Sequence, residues 1–342
     1  MTGTYLVTGG AGFIGCNYVD RLLERGERVI VYDNLSRLGA KANVTWLSQK
    51  HGAQSFRLMA ADVRDAAALR EAVEGSDVIV HLAAQTAVTT SVEDPRSDFE
   101  HNALGTFNVL EAARMAEGDP IILYSSTNKV YGAMDGVAVV EGDTRYAYRD
   151  YPQGISEEHP LDFHSPYGCS KGAGDQYVRD YSRIYGLRSV VFRQSCIYGP
   201  RQMGVEDQGW VAWFLIAAVT GQPVTIYGDG KQVRDVLHID DLLDIYDRAI
   251  RRIDTVAGEV YNVGGGPGYT VSIWEEFGPL LQELVGHQVP VSYRGWRPGD
   301  QRVYVSDIRK AKEELGWSPQ VDVEAGILSL YDWIVGNLDL FV

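Results

Sequence analysis

The sequence predicts an α/β fold: a doubly wound parallel sheet with a smaller, mixed α/β lobe. Three observations lead to this prediction. Apolar runs alternate with helix-like stretches over the first 130 residues, a glycine-rich turn follows the first run, and the alternation loosens after residue 130. Strands that alternate with helices form βαβ units, whose helices cover both faces of a parallel sheet. The length of 342 residues suits about two domains.

Five apolar runs have the length and composition of strands. Each is nearly continuous in apolar residues, which is typical of strands that are buried on both faces. With right-handed connections they build the parallel sheet. The predicted strands are residues 5–7, 29–32, 56–59, 78–82 and 121–124, and the helices between them are residues 13–25, 65–74 and 95–117.

The second half of the chain is less regular. Residues 132–165 are rich in Pro, Gly, Tyr and acidic residues, and they predict a long functional loop. The elements predicted after this loop are a helix over 166–185, a strand over 189–192, and helices near 208–220, 240–253, 271–285 and 307–315.

The charge balance restricts the class of ligand. The chain has 31 basic and 46 acidic residues, which gives a net charge of −15. Proteins that bind a nucleic-acid backbone present a basic face, so we expect no nucleic-acid partner. A phosphate-bearing ligand has to be held locally, by backbone N–H groups and a few arginines.

Three cysteines, Cys16, Cys169 and Cys196, are odd in number and lie far apart without a CxxC pair. They predict neither a zinc knuckle nor a disulfide framework, and they favour a reduced, cytoplasmic compartment. The seven histidines form no HxH or HxxxH pair, so we expect no metal site. The longest apolar run, residues 210–219, is too short to span a bilayer and predicts a buried helix. The N-terminus shows no basic region of a signal peptide.

A glycine-rich turn follows the first predicted strand and opens the first helix. Gly9, Gly12 and Gly15 have the spacing GxxGxxG, with Phe13 and Ile14 between the last two. Glycine permits positive φ and lets the backbone approach a pyrophosphate closely. The helix N-terminus offers free N–H groups and partial positive charge to an anion. The turn predicts a Rossmann-type dinucleotide site; the alternative is a tight strand–helix turn without a ligand.

Carboxylates end the next two strands. Asp33 follows Gly15 by 18 residues, where a carboxylate accepts hydrogen bonds from an adenosine ribose and favours NAD over NADP. Arg37 is positioned to meet a 2′-phosphate instead, so NADP stays an alternative. Asp62 is either a ligand for an adenine amino group or a cap for the helix that begins near Arg64.

Tyr167 and Lys171 form a YxxxK motif in a segment that is predicted to be helical. A spacing of four residues places both side chains on one helix face. An ammonium beside a phenol favours the phenolate and lowers its pKa from about 10, so that the tyrosine can take a proton from a sugar hydroxyl. The hydroxyl-rich residues 124–127 end the fifth strand, at the sheet edge where α/β proteins bind ligands.

Jointly, these motifs resemble the extended short-chain dehydrogenase/reductases that modify nucleotide sugars, and the resemblance covers essentially the whole chain. It rests on the glycine turn, Asp33 and the YxxxK pair, together with further short segments. Those segments are SST at 125–127 with VYG at 130–132, NALGT at 102–106, YGPR at 198–201, VRDV at 233–236 and RPGD at 297–300.

The resemblance implies a catalytic triad of Thr127, Tyr167 and Lys171. Tyr167 is the expected acid/base, Thr127 hydrogen-bonds the substrate oxygen, and Lys171 binds the nicotinamide ribose and tunes Tyr167. Arg234 and Arg297 are expected to clamp the diphosphate, a role that suits the planar guanidinium. The alternative for either arginine is a surface salt bridge.

The resemblance also implies two ligand-binding domains. NAD is expected in a Rossmann domain of residues 1–190 and about 233–262, and the nucleotide sugar in a lobe of about 191–232 and 263–342. The helices at 95–117 and 166–185 are expected to pair with a second subunit in a homodimer or homotetramer. The expected NAD-binding residues are Gly9, Gly12, Phe13, Ile14, Gly15, Asp33, Asn34, Ser36, Arg37, Asp62, Val63, Leu82, Ala83, Ala84, Gln85, Asn102, Tyr167 and Lys171. The expected substrate-binding residues are Thr127, Gln208, Gly209, Trp210, Val211, Arg234 and Arg297. For Trp210, a core position is an equal alternative.

Several stretches resemble more narrowly the CDP-tyvelose (CDP-paratose) 2-epimerases. The dehydratases of the family place Asp-Glu directly after the triad threonine to eliminate water, whereas this chain has Asn128 and Lys129. Cys196 stands where many relatives have Asn. We therefore expect inversion of C2 of a CDP-hexose through a transient 2-keto sugar, with bound NAD. The matching stretches are residues 33–37, 125–132, 161–171, 207–211 and 230–238.

Two other functions stay open at this point. Another nucleotide-sugar epimerase, such as a UDP-sugar 4-epimerase, would use the same triad, because the orientation of the sugar decides which carbon reacts. A non-catalytic NAD-binding sensor is the alternative from another class, although an intact triad argues against it.

Overall fold

The computed structural model describes residues 2–297 and 299–341, so Pro298 of the RPGD segment lies outside the described residues. The chain forms two compact units, and their bounds differ from the expected domain bounds at residues 128–164 and 233–244, which belong to unit 2. Unit 1 is Met1–Thr127, Ser165–Arg193 and Ile245–Tyr261, and unit 2 is Asn128–His164, Gln194–Asp244 and Asn262–Val342.

The strands and helices follow the predicted alternation in the first half of the chain. The strands are β1 (Thr4–Thr8), β2 (Arg28–Tyr32), β3 (Phe56–Met59), β4 (Val78–His81), β5 (Ile121–Thr127), β6 (Val139–Glu141), β7 (Tyr146–Tyr148), β8 (Ser189–Gln194), β9 (Ile197–Tyr198), β10 (Val224–Tyr227), β11 (Val233–Asp235), β12 (Leu237–His238), β13 (Val260–Val263), β14 (Thr270–Ser272), β15 (Val291–Arg294) and β16 (Val303–Tyr304). The helices are α1 (Phe13–Glu24), α2 (Ala40–His51), α3 (Ala66–Val73), α4 (Val88–Glu93), α5 (Pro95–Phe99), α6 (Gly105–Met115), α7 (Ser165–Tyr185), α8 (Trp210–Val219), α9 (Ile239–Arg251), α10 (Ile253–Val256), α11 (Phe277–Val285), α12 (Arg309–Leu315) and α13 (Val323–Val335).

The main sheet has seven strands in the order β3-β2-β1-β4-β5-β8-β13. β1 is parallel to β2 and β4, and the parallel pairing continues to β3 on one side and β5 on the other. The strand order reverses between β1 and β4. Loops at the carboxyl ends of such a pair form the ligand crevice of doubly wound sheets. The predicted Rossmann α/β fold is confirmed.

The central strands are buried, but β3 is not. Leu6 on β1 and Val80 on β4 are fully buried, whereas Arg57 and Leu58 on β3 are exposed. The expectation that all five apolar runs are buried on both faces is therefore wrong for β3. The reason is its place as the edge strand of the sheet.

Several local elements differ from the prediction. The helix expected over residues 95–117 is interrupted by a π-helical turn, Glu100–Leu104, which joins α5 to α6. Apolar periodicity gives no signal for such a turn, which widens a helix by one residue and often marks a functional site. The hairpin of β6 and β7 lies within the expected long loop. The sequence patterns do not predict helices α2, α4, α10 and α13.

Unit 2 has its own apolar core around α8, which is the ten-residue apolar run. Ala212, Leu215 and Ala217 of this helix are fully buried, and Phe277 of α11 and Leu330 of α13 belong to the same core. The run is thus a buried helix, as predicted. Within the described residues, none of the helices combines the length and apolarity that crossing a membrane requires.

Candidate active site

The turn after β1 leaves an open backbone face at the start of α1. Gly9 has a φ of +70°, and a Cβ there would lie 2.7 Å from the backbone N of Ala83. A Cβ on Gly15 would lie 2.2 Å from the Gly9 carbonyl oxygen. A Cβ on Gly12 would lie 3.2 Å from the same Gly9 carbonyl oxygen, and no other atom of the described residues lies within 4 Å of it. Phe13 and Ile14 form the first turn of α1, whose N–H groups therefore fit a pyrophosphate.

Asp33 is held at the end of β2 by two backbone groups. Its Oδ2 accepts from the N–H of Ala11 at 3.1 Å and its Oδ1 from the N–H of Leu35 at 2.8 Å. Burial raises the pKa of Asp33, while these bonds and the charge of Arg37 oppose the rise. A carboxylate offers about four acceptor sites, so capacity remains for a ribose diol. Arg37 donates to Thr86 Oγ1 at 2.6 Å.

Asp62 is paired with a neighbouring arginine and does not cap the next helix. It accepts from Arg64 Nε at 2.9 Å and from Asn34 Nδ2 at 2.8 Å. Although burial raises the pKa of Asp62, hydrogen bonds from Arg64 and Asn34 hold it well below its usual range. The N-cap of α3 is Asp65, which accepts from two backbone N–H groups, so the cap alternative for Asp62 is wrong. Ser36 donates to Asn34 Oδ1 at 2.6 Å.

The loop after β4 is tied to the π-helical turn. Gln85 donates its backbone N–H to Asn102 Oδ1 at 2.8 Å, and Asn102 Nδ2 donates to the Gln85 carbonyl at 3.0 Å. Thr8 Oγ1, at the end of β1, accepts from the N–H groups of Leu82 and Ala83 at 3.2 and 3.3 Å. Residues 82–85, Ala84 included, are thereby fixed beside the glycine turn. Val63, by contrast, is buried in the apolar core.

The three triad residues come together in unit 1. Thr127 is the last residue of β5, and Tyr167 and Lys171 lie one turn apart on α7, which is the predicted arrangement. All three are buried. A hydrogen bond joins the hydroxyls of Thr127 and Tyr167. The ammonium of Lys171 donates to the carbonyl of Ser125, close to the end of β5.

The titration behaviour of the pair differs from the expectation that Lys171 lowers the pKa of Tyr167. Burial raises the pKa of Tyr167 to about 12; the Thr127 hydrogen bond and the charge of Arg37 oppose this shift, and Asp98 adds to it. Burial also lowers the pKa of Lys171 to about 7. Desolvation is the largest cause of both pKa shifts, because both groups lie inside the protein.

Two buried groups next to the triad have no sequence motif that would single them out. His81, at the end of β4, hydrogen-bonds Thr8 Oγ1 at 2.7 Å and Thr106 Oγ1 at 3.0 Å, and burial lowers its pKa to about 3. Asp98 on α5 is completely buried. The only available signal for His81 was its position at a strand end, and a lone acid in a helical stretch such as Asp98 normally indicates a solvated face.

In unit 2, both predicted arginines are paired with acids. Arg234 is nearly buried, with Nη2 2.7 Å from Asp300 Oδ1. Arg297 places its guanidinium 3.8 Å from the centroid of the Tyr227 ring, and its Nη2 lies 3.0 Å from Asp207 Oδ1. Each guanidinium is oriented, as a diphosphate ligand requires, but each already has a counter-charge.

Lys129, directly after the triad strand, belongs to the same charged group of unit 2. Burial lowers its pKa; Asp300 opposes this shift, and Arg234 and Arg297 reinforce it. Cys196 also faces Arg234, and burial raises its pKa. The positions where dehydratases carry an acid pair thus hold a nearly buried Asn128 and a lysine that faces Asp300 and two arginines.

The segment 208–211 leads into α8. Gly209 has a φ of +75° and precedes the helix, and Gln208 pairs with Val205 through backbone hydrogen bonds. Trp210 packs against Phe214 and Phe277, with ring centroids 5.7 and 5.1 Å apart, and Val211 is buried. This packing favours the core alternative for Trp210. Among residues 2–297 and 299–341, no three His, Cys, Asp or Glu side chains form a group that could hold a metal ion.

Comparison with known sequences gives one family and a clear relative. The model of the GDP-mannose 4,6 dehydratase family matches residues 6–330. CDP-paratose 2-epimerase from Salmonella typhi is 44% identical over 335 residues, which are 96% of this chain and 98% of that protein.

Solved structures give the same fold. The dTDP-glucose 4,6-dehydratase of Streptomyces venezuelae, with NAD bound, has a TM-score of 0.85 and 31% identity, with 99% of this chain and 98% of that chain covered. The UDP-glucose 4-epimerase of Thermus thermophilus in complex with NAD has a TM-score of 0.81 and 33% identity, with 98% and 99% covered.

Proposed function

Because the chain belongs to the GDP-mannose 4,6-dehydratase family of nucleotide-sugar epimerases and dehydratases, we propose that it inverts C2 of a CDP-hexose, in the manner of CDP-paratose to CDP-tyvelose. The observation that carries the choice of epimerisation is the pair Asn128 and Lys129 directly after Thr127. The dehydratases eliminate water with an Asp-Glu pair at these two positions, whereas this chain has an amide and a lysine there. The Salmonella relative supports the CDP-sugar and the C2 position.

The cofactor is NAD, and the residues of unit 1 fit it. The open face of the glycine turn suits the pyrophosphate, Asp33 the adenosine ribose, and Lys171 the nicotinamide ribose. When bound, NAD supplies a hydride acceptor that is regenerated in each turnover. Unit 1 is accordingly the proposed NAD-binding part of the chain, and unit 2 the nucleotide-sugar-binding part.

Tyr167 moves the proton. Its phenolate takes the proton of the C2 hydroxyl as that carbon is oxidised to the ketone. After the 2-keto sugar has rotated in the pocket to present its other face, the phenol of Tyr167 returns a proton to the same oxygen as C2 is reduced again. Thr127, which already hydrogen-bonds Tyr167, orients the same substrate oxygen. Lys171 must be an ammonium while Tyr167 is a phenolate, because its positive charge is what stabilises the phenolate after desolvation.

Arg234 and Arg297 bind the diphosphate in this proposal. Both are preoriented by a carboxylate and a ring or backbone contact. A diphosphate oxygen that approaches either guanidinium adds a charge-assisted hydrogen bond to an arginine that has little side-chain freedom left to lose.

We also propose that the protein is a homodimer or homotetramer in the cytoplasm. Large apolar side chains are exposed on neighbouring helices of unit 1, namely Phe99 on α5, Phe107 and Met115 on α6, and Ile184 and Tyr185 on α7. A patch of this kind marks an interaction surface, and light scattering of the purified protein tests it. In the part of the chain that the structure describes, Cys16, Cys169 and Cys196 form no disulfide, which agrees with a reducing compartment.

A panel of CDP-, UDP- and GDP-hexoses, read by NMR, tests the reaction. We expect conversion of the CDP-hexose at C2. Conversion of a UDP-sugar at C4 would overturn the proposed substrate in favour of a 4-epimerase, and bound NAD with no conversion would indicate a sensor. Tyr167→Phe should abolish conversion, whereas Tyr185→Phe, the same change on the exposed end of α7, should not.

A substrate with deuterium at C2 tests the route. Because the abstracted hydride is returned to the same carbon, the product should keep the label at C2. Complete loss of the label to solvent would instead indicate that C2 is deprotonated, and would contradict the keto route.

A further inference from the structure

Asp98 is a buried carboxylate that the proposed mechanism does not use. It lies on α5, one residue before the last, and its side chain is completely shielded from solvent. Acidic residues are almost never fully buried without partners, because desolvation of the charge is costly. Its surroundings therefore need an explanation.

The partners of Asp98 connect it to the catalytic helix. Asn102 Nδ2 donates to Asp98 Oδ1 at 3.0 Å and lies 3.1 Å from Ser170 Oγ. The hydroxyl of Ser170 has two acceptors in reach, the carboxylate of Asp98 and the carbonyl of Tyr167 at 3.2 Å. Ser170 stands between Tyr167 and Lys171 on α7. All these groups are buried.

We propose that Asp98 is a positioning residue, which fixes Asn102 and Ser170 against α7 and places a negative charge beside the Tyr167–Lys171 pair. The π-helical turn after α5 gives this arrangement its geometry, because it brings Asn102 to Asp98, Ser170 and Gln85 at once. The proposal rests on the catalytic roles of Tyr167 and Lys171, but not on the identity of the sugar.

The electrostatic effect of Asp98 has the same sign on both members of the pair. Its charge raises the pKa of Tyr167 and that of Lys171. The other groups that face the pair are Arg37 and Thr127 at Tyr167, Asp175 and His81 at Lys171, and Tyr124 at both. Burial raises the pKa of Asp98 itself; the Ser170 hydrogen bond and the charges of Lys171 and His101 oppose this rise, and Asn102 donates to the same carboxylate.

Asp98→Asn removes the charge and leaves the shape. The pair titrates in two macroscopic steps that belong to both groups, and the active form is the one that holds a single proton on the pair. We expect both limbs of the pH profile of kcat/KM to move to lower pH, by about one unit. Asp94→Asn is the matched control, since Asn still caps α5 and Asp94 is exposed; its limbs should stay in place.

A second measurement needs no substrate, so that it separates this proposal from the proposed reaction. The ultraviolet phenolate absorbance of the NAD-bound protein, minus that of its Tyr167→Phe counterpart, reports the titration of Tyr167 alone. Asp98→Asn should shift this titration to lower pH. If Asp98→Asn does not fold, Asp98→Ser removes the same charge with a smaller polar side chain. The proposal would be overturned if, in a folded variant, the limbs of the kcat/KM profile and the phenolate titration of Tyr167 stay at the pH of the parent or move to higher pH.

Discussion

The ammonium of Lys171 lies 4.3 Å from the centre of the Tyr124 ring and donates to the carbonyl of Ser125. β5 therefore supplies both a cation–π contact and an acceptor to the lysine of α7, while the last residue of the same strand, Thr127, hydrogen-bonds Tyr167. One strand end thus orients both members of the pair. This arrangement fixes the lysine without relieving it of the cost of burial, and the first prediction follows from that cost.

The pH dependence of the reaction should have an acid limb near pH 7 or below. Burial lowers the pKa of Lys171 to about 7 and raises that of Tyr167 to about 12. Below the lower value both groups are protonated, so that no base is present, and kcat/KM should fall tenfold per pH unit. Bound NAD, whose nicotinamide is cationic, moves the limb further down. A pH profile of kcat/KM tests this; an acid limb between about pH 8.5 and 10.5, where an ordinary thiol or an ordinary lysine titrates, would contradict it.

Gly12 and Gly15 should respond differently to the same substitution. In Gly15→Ala the new Cβ would meet the Gly9 carbonyl at 2.2 Å, so the turn must shift and both folding stability and NAD binding should be lost. In Gly12→Ala the nearest described atom is the same carbonyl at 3.2 Å, a contact that needs a shift of only a few tenths of an ångström, so the unfolding temperature without NAD should fall much less than in Gly15→Ala. NAD affinity should nevertheless fall, since the methyl group occupies the open face. Equal loss of stability in the two variants would be the contrary result.

The sequence predicts those parts of the molecule that repeat a local pattern. The glycine turn, Asp33 and the Tyr167–Lys171 pair lie where the strand and helix pattern places them. α2 escapes prediction because it begins after Gly39, in the left-handed region, without a side-chain cap. Asp98 escapes because its burial is created by α7, more than sixty residues further along the chain. Neither the widened turn at Asn102 nor the edge position of β3 has a periodic signal.

The ion pair of Asp175 and Arg193 should be essential for the stability of unit 1. Arg193 donates to both carboxylate oxygens, at 2.9 and 3.0 Å, and the two side chains are at most 2% exposed. Arg193→Met leaves the carboxylate of Asp175 buried beside Lys171 without its main counter-charge, which should cost about 3–5 kcal/mol of unfolding free energy. Urea unfolding measures this loss.

The matched control for that experiment is an exposed pair of the same chemistry. Arg57 lies 2.5 Å from Glu71, but both side chains are more than half exposed. Arg57→Met should therefore change the unfolding free energy by less than about 1 kcal/mol. A similar cost for both substitutions would show that burial is not what makes the Asp175–Arg193 pair important.

Loss of Arg234 should weaken substrate binding more than it slows the chemical step. Arg234 is oriented by Asp300 and by the carbonyl of Val233, and its proposed ligand is the diphosphate, which does not change during the reaction. Arg234→Met should raise KM for the CDP-hexose roughly 10- to 100-fold, the range for a hydrogen bond to a charged group, and leave kcat nearly unchanged. Lys231→Met removes a cation from the same segment that is bound to Glu141 instead, and its KM should equal that of the parent. A fall in kcat at constant KM would place Arg234 in the chemical step and contradict its assignment to the diphosphate.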